Sequence, residues 1–440
     1  MRTLRTVRGL AAVTGVTTML LMPVPASAAE VGALALVDVA PDGSPGNGGV
    51  GGSDISDDGR YVAFASTSYN LVPGDTNDSA DVFVRDTETG VTTLVSGGLD
   101  GQPANDGIEY TAAISGNGRY VAFTSYASNL VPGDTNNERD VFVHDRQTGA
   151  TTRVSTFAGG REIRGSSSGA TISDNGRFTS FIVTSYSGDL DDQGRWLYGQ
   201  VAYIHDSVLG RTTRVSLQAD GGTNLAAYEA VVSGNGRRVV FSGSGDWIGD
   251  GGTSTGIFVH DLSSGATVRA NLATTTEGGF RGGLNPSISK DGTKVSWESY
   301  QPFVAADTNT TSDIYVRDLI ADTTVLVSAN RAGTGAGNSH SMSGQLAAGG
   351  RYVSFYSQAS DLAPSDGNGI YSDVFVRDLN TGRTTAVSTT AAGATGNGDS
   401  FDGVTSANGS RVVFISSATD LGVHPGDGRS HLFVRCLRNC

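Results

Sequence analysis

Ser56-Asp-Asp-Gly59-Arg-Tyr-Val-Ala-Phe64 returns as Ser115-Gly-Asn-Gly118-Arg-Tyr-Val-Ala-Phe123. It returns again as Ser173-Asp-Asn-Gly176-Arg-Phe, Ser233-Gly-Asn-Gly236-Arg-Arg-Val-Val-Phe241 and Ser289-Lys-Asp-Gly292. Two looser copies are Ala347-Ala-Gly-Gly350-Arg-Tyr-Val-Ser-Phe355 and Ser406-Ala-Asn-Gly409. Successive glycines stand 59, 58, 60, 56, 58 and 59 residues apart. Self-similarity at a fixed period is the signature of a repeat architecture.

Each unit reads as four strands. A short apolar run such as Ala112–Ser115 enters an Asn-Gly or Asp-Gly turn, the dipeptides that supply the positive φ of a tight hairpin. An alternating strand follows, Arg119–Ser125, then about 14 polar residues, then Asp140–Asp145. Gln147-Thr-Gly149 turns the chain into a fourth strand, Ala150–Ser155. Seven such antiparallel units predict an all-β, seven-bladed propeller, because radial repetition protects sheet edges. The seventh unit stops after its third strand, Leu432–Cys436. Ala33-Leu-Ala-Leu-Val-Asp-Val39 precedes the first unit where a fourth strand would stand, and is expected to complete the seventh blade and close the ring. Cys436 and Cys440 are the only cysteines. In an oxidising compartment they are expected to pair as a C-terminal clip contributing roughly 2 kcal/mol.

The S-x-D/N-G-R-Y-V-A-F string followed by a D-V-F-V-R-D strand resembles the repeats of TolB-type, WD40-like bacterial propellers. That resemblance implies the propeller fold across essentially the whole mature chain. In that family similar blades serve a periplasmic partner-binding protein, the propeller domains of some serine peptidases, and certain pectin-degrading lyases.

Arg2, Arg5 and Arg8, the apolar run Gly9–Met22 and the small-residue site Ala26-Ser-Ala28 read as a cleavable secretory signal over residues 1–28. The expected mature chain, 29–440, is one propeller domain, secreted or periplasmic and monomeric, with no membrane-inserting segment. The whole chain carries 30 basic and 44 acidic residues, net −14. Loss of the three leader arginines leaves 27 against 44, or −17. Such a surface disfavours nucleic acid and anionic membranes and suits cationic partners, or serves solubility alone.

The turns after the first and third strands are short, and the connections after the second and fourth are long. One end of the ring therefore carries the long loops and is the expected functional face. There Asp75-Thr-Asn77 with Asp81, and Asp134-Thr-Asn136 with Asp140, recur as Asp307-Thr-Asn309 with Asp313 and Asp366-Gly-Asn368 with Asp373. Asp191, Asp250 and Asp427 keep an acid without the pattern. Oxygens at this spacing suit Ca²⁺. The competing reading is Asx turns, in which these side chains bond their own backbone.

His144, His205 and His260 share one repeat position with Arg85, Arg317, Arg377 and Arg435, and read as structural. Gly165-Ser-Ser-Ser-Gly169 and Gly252-Thr-Ser-Thr-Gly256 match G-x-S-x-G but lie in Gly/Ser loops without the strand-to-helix elbow that gives the motif meaning. Residues that break the repeat mark the candidate ligand site. These are Tyr110 with Glu109, Tyr228 with Glu229 and Phe401 with Asp402, together with the loop histidines His340 and His424. Aromatics beside carboxylates at a channel mouth suit a glycan or peptide, the alternative being rim packing. No nucleophile–base pair stands out. The reading is a non-catalytic binding or scaffold protein with a protein or glycan ligand. The alternative is an extracellular polysaccharide lyase or hydrolase drawing on His340, His424, Arg161, Arg164 and Arg281.

Overall fold

The computed structural model describes residues 31–440 apart from 102, 187, 189, 219–225, 250–254, 273–281, 365 and 439. The expected signal peptide, Asp250 and Arg281 lie outside the described residues. Seven four-stranded antiparallel sheets form a propeller. Blade one is Val50–Ile55, Tyr61–Ser66, Asp81–Asp86 and Val91–Leu94. Blades two to six open with Ile108–Ile114, Ser166–Ile172, Ala227–Val232, Leu284–Ile288 and Ser341–Leu346. These first strands stand side by side around a central channel. Blade seven takes Ser400–Thr405, Arg411–Ser416 and His431–Cys436 from the C-terminus and Leu34–Leu36 from the N-terminus. The register is Leu34 opposite Arg435, Ala35 opposite Val434 and Leu36 opposite Phe433. The ring is closed as the missing fourth strand predicts.

The repeated string has a physical account, position by position. In blade one Ser56 Oγ donates to Asp58 Oδ1 at 2.6 Å, and the same Asp58 oxygen accepts the Arg60 N–H. The pair holds the turn shut. Gly118 has φ +70°, and a Cβ there would lie 2.3 Å from the Tyr61 ring of the preceding blade. Glycine is thus required twice, by its backbone angle and by the contact. The arginine of the string reaches the acid ending the third strand, as in Arg119 Nη2 to Asp145 Oδ2 at 2.6 Å. Asp145 Oδ1 also accepts the Gln147 N–H, so the recurring acid caps the next turn.

The phenylalanine of the string faces an aromatic on the third strand. Phe64/Phe83, Phe123/Phe142, Phe181/Tyr203, Phe241/Phe258, Trp297/Tyr315, Phe355/Phe375 and Phe414/Phe433 all stand 5.5–6.2 Å apart. They are direct cross-strand partners, the unit of sheet stabilisation. Seven apolar clusters fill the seven interfaces between neighbouring blades. The cluster joining blades seven and one contains Val37, Phe64 and Leu432, so N-terminal chain also supplies core.

One further bond recurs in every blade. Near the start of the third strand a backbone N–H donates to the side chain just past the fourth strand. The pairs are Val82 to Ser96, Val141 to Ser155, Ala202 to Ser216, Ile257 to Asn271, Ile314 to Ser328 and Val374 to Ser388, at 2.9–3.0 Å. In blade seven Leu432 N–H donates to Asp38 Oδ1 at 2.9 Å. Asp38 Oδ2 also lies 2.7 Å from His431 Nδ1, both side chains being buried. Cys436 pairs with Cys440, the Cα atoms 5.9 Å apart, and Cys436 N–H donates to Ala33 O at 2.9 Å. The expected disulfide therefore clips the end of the strand that meets the N-terminus.

Asp38→Ala removes the acceptor for Leu432 and leaves His431 facing a void. The expected loss is about 3–5 kcal/mol, the range for breaking a buried pair. Asp38→Asn keeps an oxygen for Leu432 and is expected to lose at most half as much. Urea denaturation of the two variants measures the difference, and equal losses would show that the Leu432 bond contributes nothing.

Candidate functional site

The long connections after the second and fourth strands emerge at one end of the ring, where the first strands also begin. Every first strand is bulged near that end, and the register shifts in all seven blades. Gly52, Gly169, Asn285, Ser343 and Asp402 occupy the bulge with φ of 32–63°. Such bulges turn side chains and carbonyls toward a channel mouth. The cavity inside is about 480 Å³ and is lined by all seven first strands.

Most of the acids at this mouth bind the next blade. Glu109 Oε2 accepts the Gly169 N–H at 3.4 Å while Oε1 pairs with Arg139 at 3.2 Å. Glu229 accepts from Ser242 Oγ at 2.8 Å and from the Asn285 N–H at 3.1 Å, and burial pushes its carboxyl upward. Glu298, which sequence reasoning passed over, accepts from Asn285 Nδ2, the Ser343 N–H and Ser312 Oγ. Toward the far end of the channel Asp54 accepts the Ile114 N–H at 2.8 Å, and burial pushes it to about 7. Asp402 differs: its carboxylate has no hydrogen-bond partner among the described residues, lines the channel and is pushed up by burial.

Tyr110 and Tyr228 are exposed and Phe401 is half-buried, at equivalent places beside the bulges. His340 Nδ1 accepts the Ser312 N–H at 3.1 Å and its ring meets Tyr300 edge-on at 5.9 Å. His424 is bonded within its own loop and stacks on Phe433. Arg161 pairs with Asp192 at 3.1 Å. His144, His205 and His260 each bond a fourth-strand threonine through Nδ1 and are held low by burial, which is a structural role. The G-x-S-x-G string at 165–169 runs into the first strand of blade three rather than a loop, with Ser167 buried. The far end of the channel is spanned by a cluster that the repeat hides. Lys290 of blade five lies 2.7 Å from Asp57 of blade one and 2.6 Å from Asp174 of blade three. Gly116, Gly234, Ala348 and Ala407 stand at the equivalent place in the other blades and leave room for it.

In the Asp/Asn loops the amides face inward. Asn77 Nδ2 donates to Asp81 Oδ2 at 2.9 Å and to Ala104 O at 3.1 Å, while its Oδ1 accepts the Ser79 N–H. Asn136 bonds Asp140, Ile163 O and Glu138 N–H in the same way. Asn309 bonds Gly337 O and Thr311 N–H, and Asn368 bonds Asp373 and Gly396 O. Ser96, Ser155, Ser328 and Ser388 donate to the aspartates that open the third strands. Asp134 pairs with Arg153, Asp307 accepts from Tyr315 Oη, and Asp366 accepts from Thr395. These contacts tie each loop to the connection into the next blade and fit a hydrogen-bonded brace. Among the described residues no three His, Cys, Asp or Glu side chains gather as a metal cluster. Asp191 accepts backbone bonds from Gln193 and Arg195, and Asp427 pairs with Arg429 and His431.

No family model matches the sequence, and no curated protein matches it. Solved structures do. The chain is similar to the β-propeller domain of the Trilobed protease from Pyrococcus furiosus, described as an open velcro topology. The identity is 10%, covering 88% of this chain and 95% of that one, with TM-score 0.54. It is also similar to oligogalacturonate lyase from Vibrio parahaemolyticus, at 12% identity over 93% of this chain and 99% of that one, TM-score 0.54. TolB from Acinetobacter baumannii aligns at 15% identity over 69% of this chain, TM-score 0.41, and the chain spans 58% of that protein's length. The likenesses to the protease propeller domain and to the lyase show the fold. No helix among the described residues is long and apolar enough to cross a membrane.

Burial holds Asp313 and Asp373 up at about 7, and Asp75 and Asp140 at about 6. Unfolded carboxyls titrate near ~3.9. The folded chain therefore binds more protons than the unfolded one between these values. That stabilisation is complete below about pH 4 and is lost as pH rises through 6 to 7. Asp378, held down to about 2 by Arg351, acts oppositely and loses its contribution only in stronger acid. The melting temperature is expected to peak near about pH 5 and fall toward pH 8. Asp373→Asn should flatten that fall. A melting temperature flat or rising from pH 5 to 8 at moderate salt, where general acidic repulsion is screened, would overturn the assignment.

Proposed function

We propose that this is an exported, non-catalytic binding or scaffold protein that takes a protein or glycan ligand on its long-loop face. One observation carries the reading. Every exposed tyrosine and tryptophan among the described residues belongs to that end of the ring: Tyr69, Tyr110, Tyr126, Tyr186, Trp196, Tyr198, Tyr228, Tyr300 and Tyr371. Aromatics with an apolar body and a polar tip are favoured where a surface is alternately wet and covered. The acids around them are mostly engaged in joining blades, which supports recognition over acid–base chemistry. The paired cysteines fit an oxidising compartment.

A second reading, a polysaccharide lyase or hydrolase at the channel mouth, is supported by Asp402 and Glu229. Carboxyls with raised pKa in a cavity are what general acids require. Under that reading Asp402→Asn abolishes depolymerisation of a pectic or neutral polysaccharide without lowering the melting temperature. For the Asp/Asn loops, the brace predicts equal melting shifts with calcium and with magnesium at matched ionic strength. A rise specific to calcium and reversed by EDTA would instead support the calcium-stabilised loop.

The face itself is tested by shielding it. The native cysteines are paired, so a single new cysteine can carry a polyethylene-glycol maleimide. Attached through Asp106→Cys, on a long connection, the polymer is expected to lower capture of ligand from glycan and secreted-protein arrays at least tenfold. Attached through Thr89→Cys, in a short turn at the opposite end, it should leave capture within twofold. Equal effects at both positions would refute the assignment.

A further inference from the structure

The seven-fold pattern is broken most heavily at blade three, by two segments that meet on the long-loop face. The connection into the blade folds back as a small hairpin, Thr156–Phe157 against Arg161–Glu162. The loop after its second strand carries Leu190 opposite Trp196 in an isolated bridge. Between them lies an open cleft of about 1040 Å³, lined by Thr135, Glu138, Arg161, Arg164, Ser185 and Tyr186 among others. Tyr186, which lines the cleft, meets Tyr198 edge-on at 5.3 Å, and Trp196 stands opposite Leu190, another lining residue, so the three side chains make an aromatic shelf at the cleft edge. These rings are 70%, 66% and 61% exposed.

We infer that this cleft and shelf bind a neutral polysaccharide chain. The C–H faces of sugar rings pack on exposed aromatic rings, while their hydroxyls need donors and acceptors close by. The shelf supplies the first and the polar cleft the second. Size permits an extended chain, since the cleft slightly exceeds the roughly 300–1,000 Å³ of ordinary ligand clefts. The charges favour a neutral chain over an anionic one. Arg161 is held by Asp192, Glu162 is held by Arg153 and Thr135, and the chain as a whole is strongly acidic. The rings stand apart from the channel-mouth residues Tyr110 and Tyr228, so this is a separate site on the face proposed above, and the inference rests on that face being the binding surface.

Tryptophan fluorescence reads the site directly. Of the three tryptophans, Trp247 and Trp297 are 1% and 0% exposed, so Trp196 is the one a dissolved sugar reaches. The intact protein is titrated with neutral β-linked hexasaccharides of glucose, mannose, xylose and N-acetylglucosamine, with an oligogalacturonate as the anionic comparison. Saturable change with at least one neutral hexasaccharide is expected. By calorimetry, Trp196→Ala and Tyr198→Ala should each weaken binding at least tenfold, and Thr89→Ala, in a short turn at the opposite end of the ring, should stay within twofold. Unchanged melting temperatures and buried-tryptophan emission control for folding. If hexasaccharides bind but the shelf variants bind as well as wild type, the shelf is refuted and the face survives. If no hexasaccharide binds, or only the anionic one does, the inference fails, and a protein captured on the unshielded face would leave the broader reading intact.

Discussion

A single hydrogen bond, the side chain just past each fourth strand accepting a backbone N–H of the third, sets the conditions for the whole ring. It holds the outermost strand at the end where long loops leave the blade. Without it, those loops would start from a frayed edge. Six blades make the bond with serine or asparagine and one with Asp38. In the seventh the strand comes from the far end of the sequence, and the ordinary partners are exchanged. Where Asp81 faces Ser96 in blade one, His431 faces Asp38. An acid that both accepts the N–H and meets a buried histidine distinguishes the closing strand from the six ordinary fourth strands. Register is thereby specified in the blade where chain connectivity does least to specify it.

Closure then governs what the channel can be. Each first strand is held against two neighbours, so its bulge can carry residues in the left-handed region without the strand moving away. Strain of this kind persists only where surroundings over-determine it. The same crowding explains the division of labour among the acids. Glu109, Glu229, Glu298 and Asp54 each reach a backbone N–H of the following blade, replacing hydrogen bonds that a regular edge would have lacked. Asp402 is at the equivalent bulge and reaches none. At the opposite end one lysine between two aspartates bridges three blades across the bore, and the glycines and alanines of the other four make that geometry available.

The period, the four strands per unit, the closing strand and the disulfide were all legible because each is a local signal repeated or conspicuously missing. Ser56, Asp58 and Gly59 bond within five residues of one another, so a string is enough to read them. The lysine bridge was written in the residue two before each turn glycine, Asp57, Gly116, Asp174, Gly234, Lys290, Ala348 and Ala407. It became readable only once the ring brought positions more than a hundred residues apart to one axis. The inter-blade bonds of the mouth acids were hidden for the same reason. Glu109 and Glu229 look like ligand groups in one dimension, and their partners Gly169 and Asn285 belong to the next unit. The Asp/Asn loops had two readings in sequence because Asx bonding and cation binding use the same oxygens. The amide donors settle into the neighbouring connection, which spacing alone does not encode.

In a repeat protein the positions that obey the period are accounted for by what every blade needs. Turn closure takes the Ser and Asp or Asn, blade-to-blade contact takes the Gly and Tyr, and the sheet takes the stacked aromatic pair. Function has to be sought in what remains after those needs are subtracted. At the channel mouth the remainder is small, one carboxylate and two tyrosines. At blade three it is larger, because two consecutive connections depart from the pattern together and put three aromatic rings into solvent. Exposing three such rings in one blade costs hydrophobic free energy. A structural role does not require that cost, whereas a ligand that covers the rings offsets it. The blade that fits its own repeat least well is therefore the one whose surface most needs a partner.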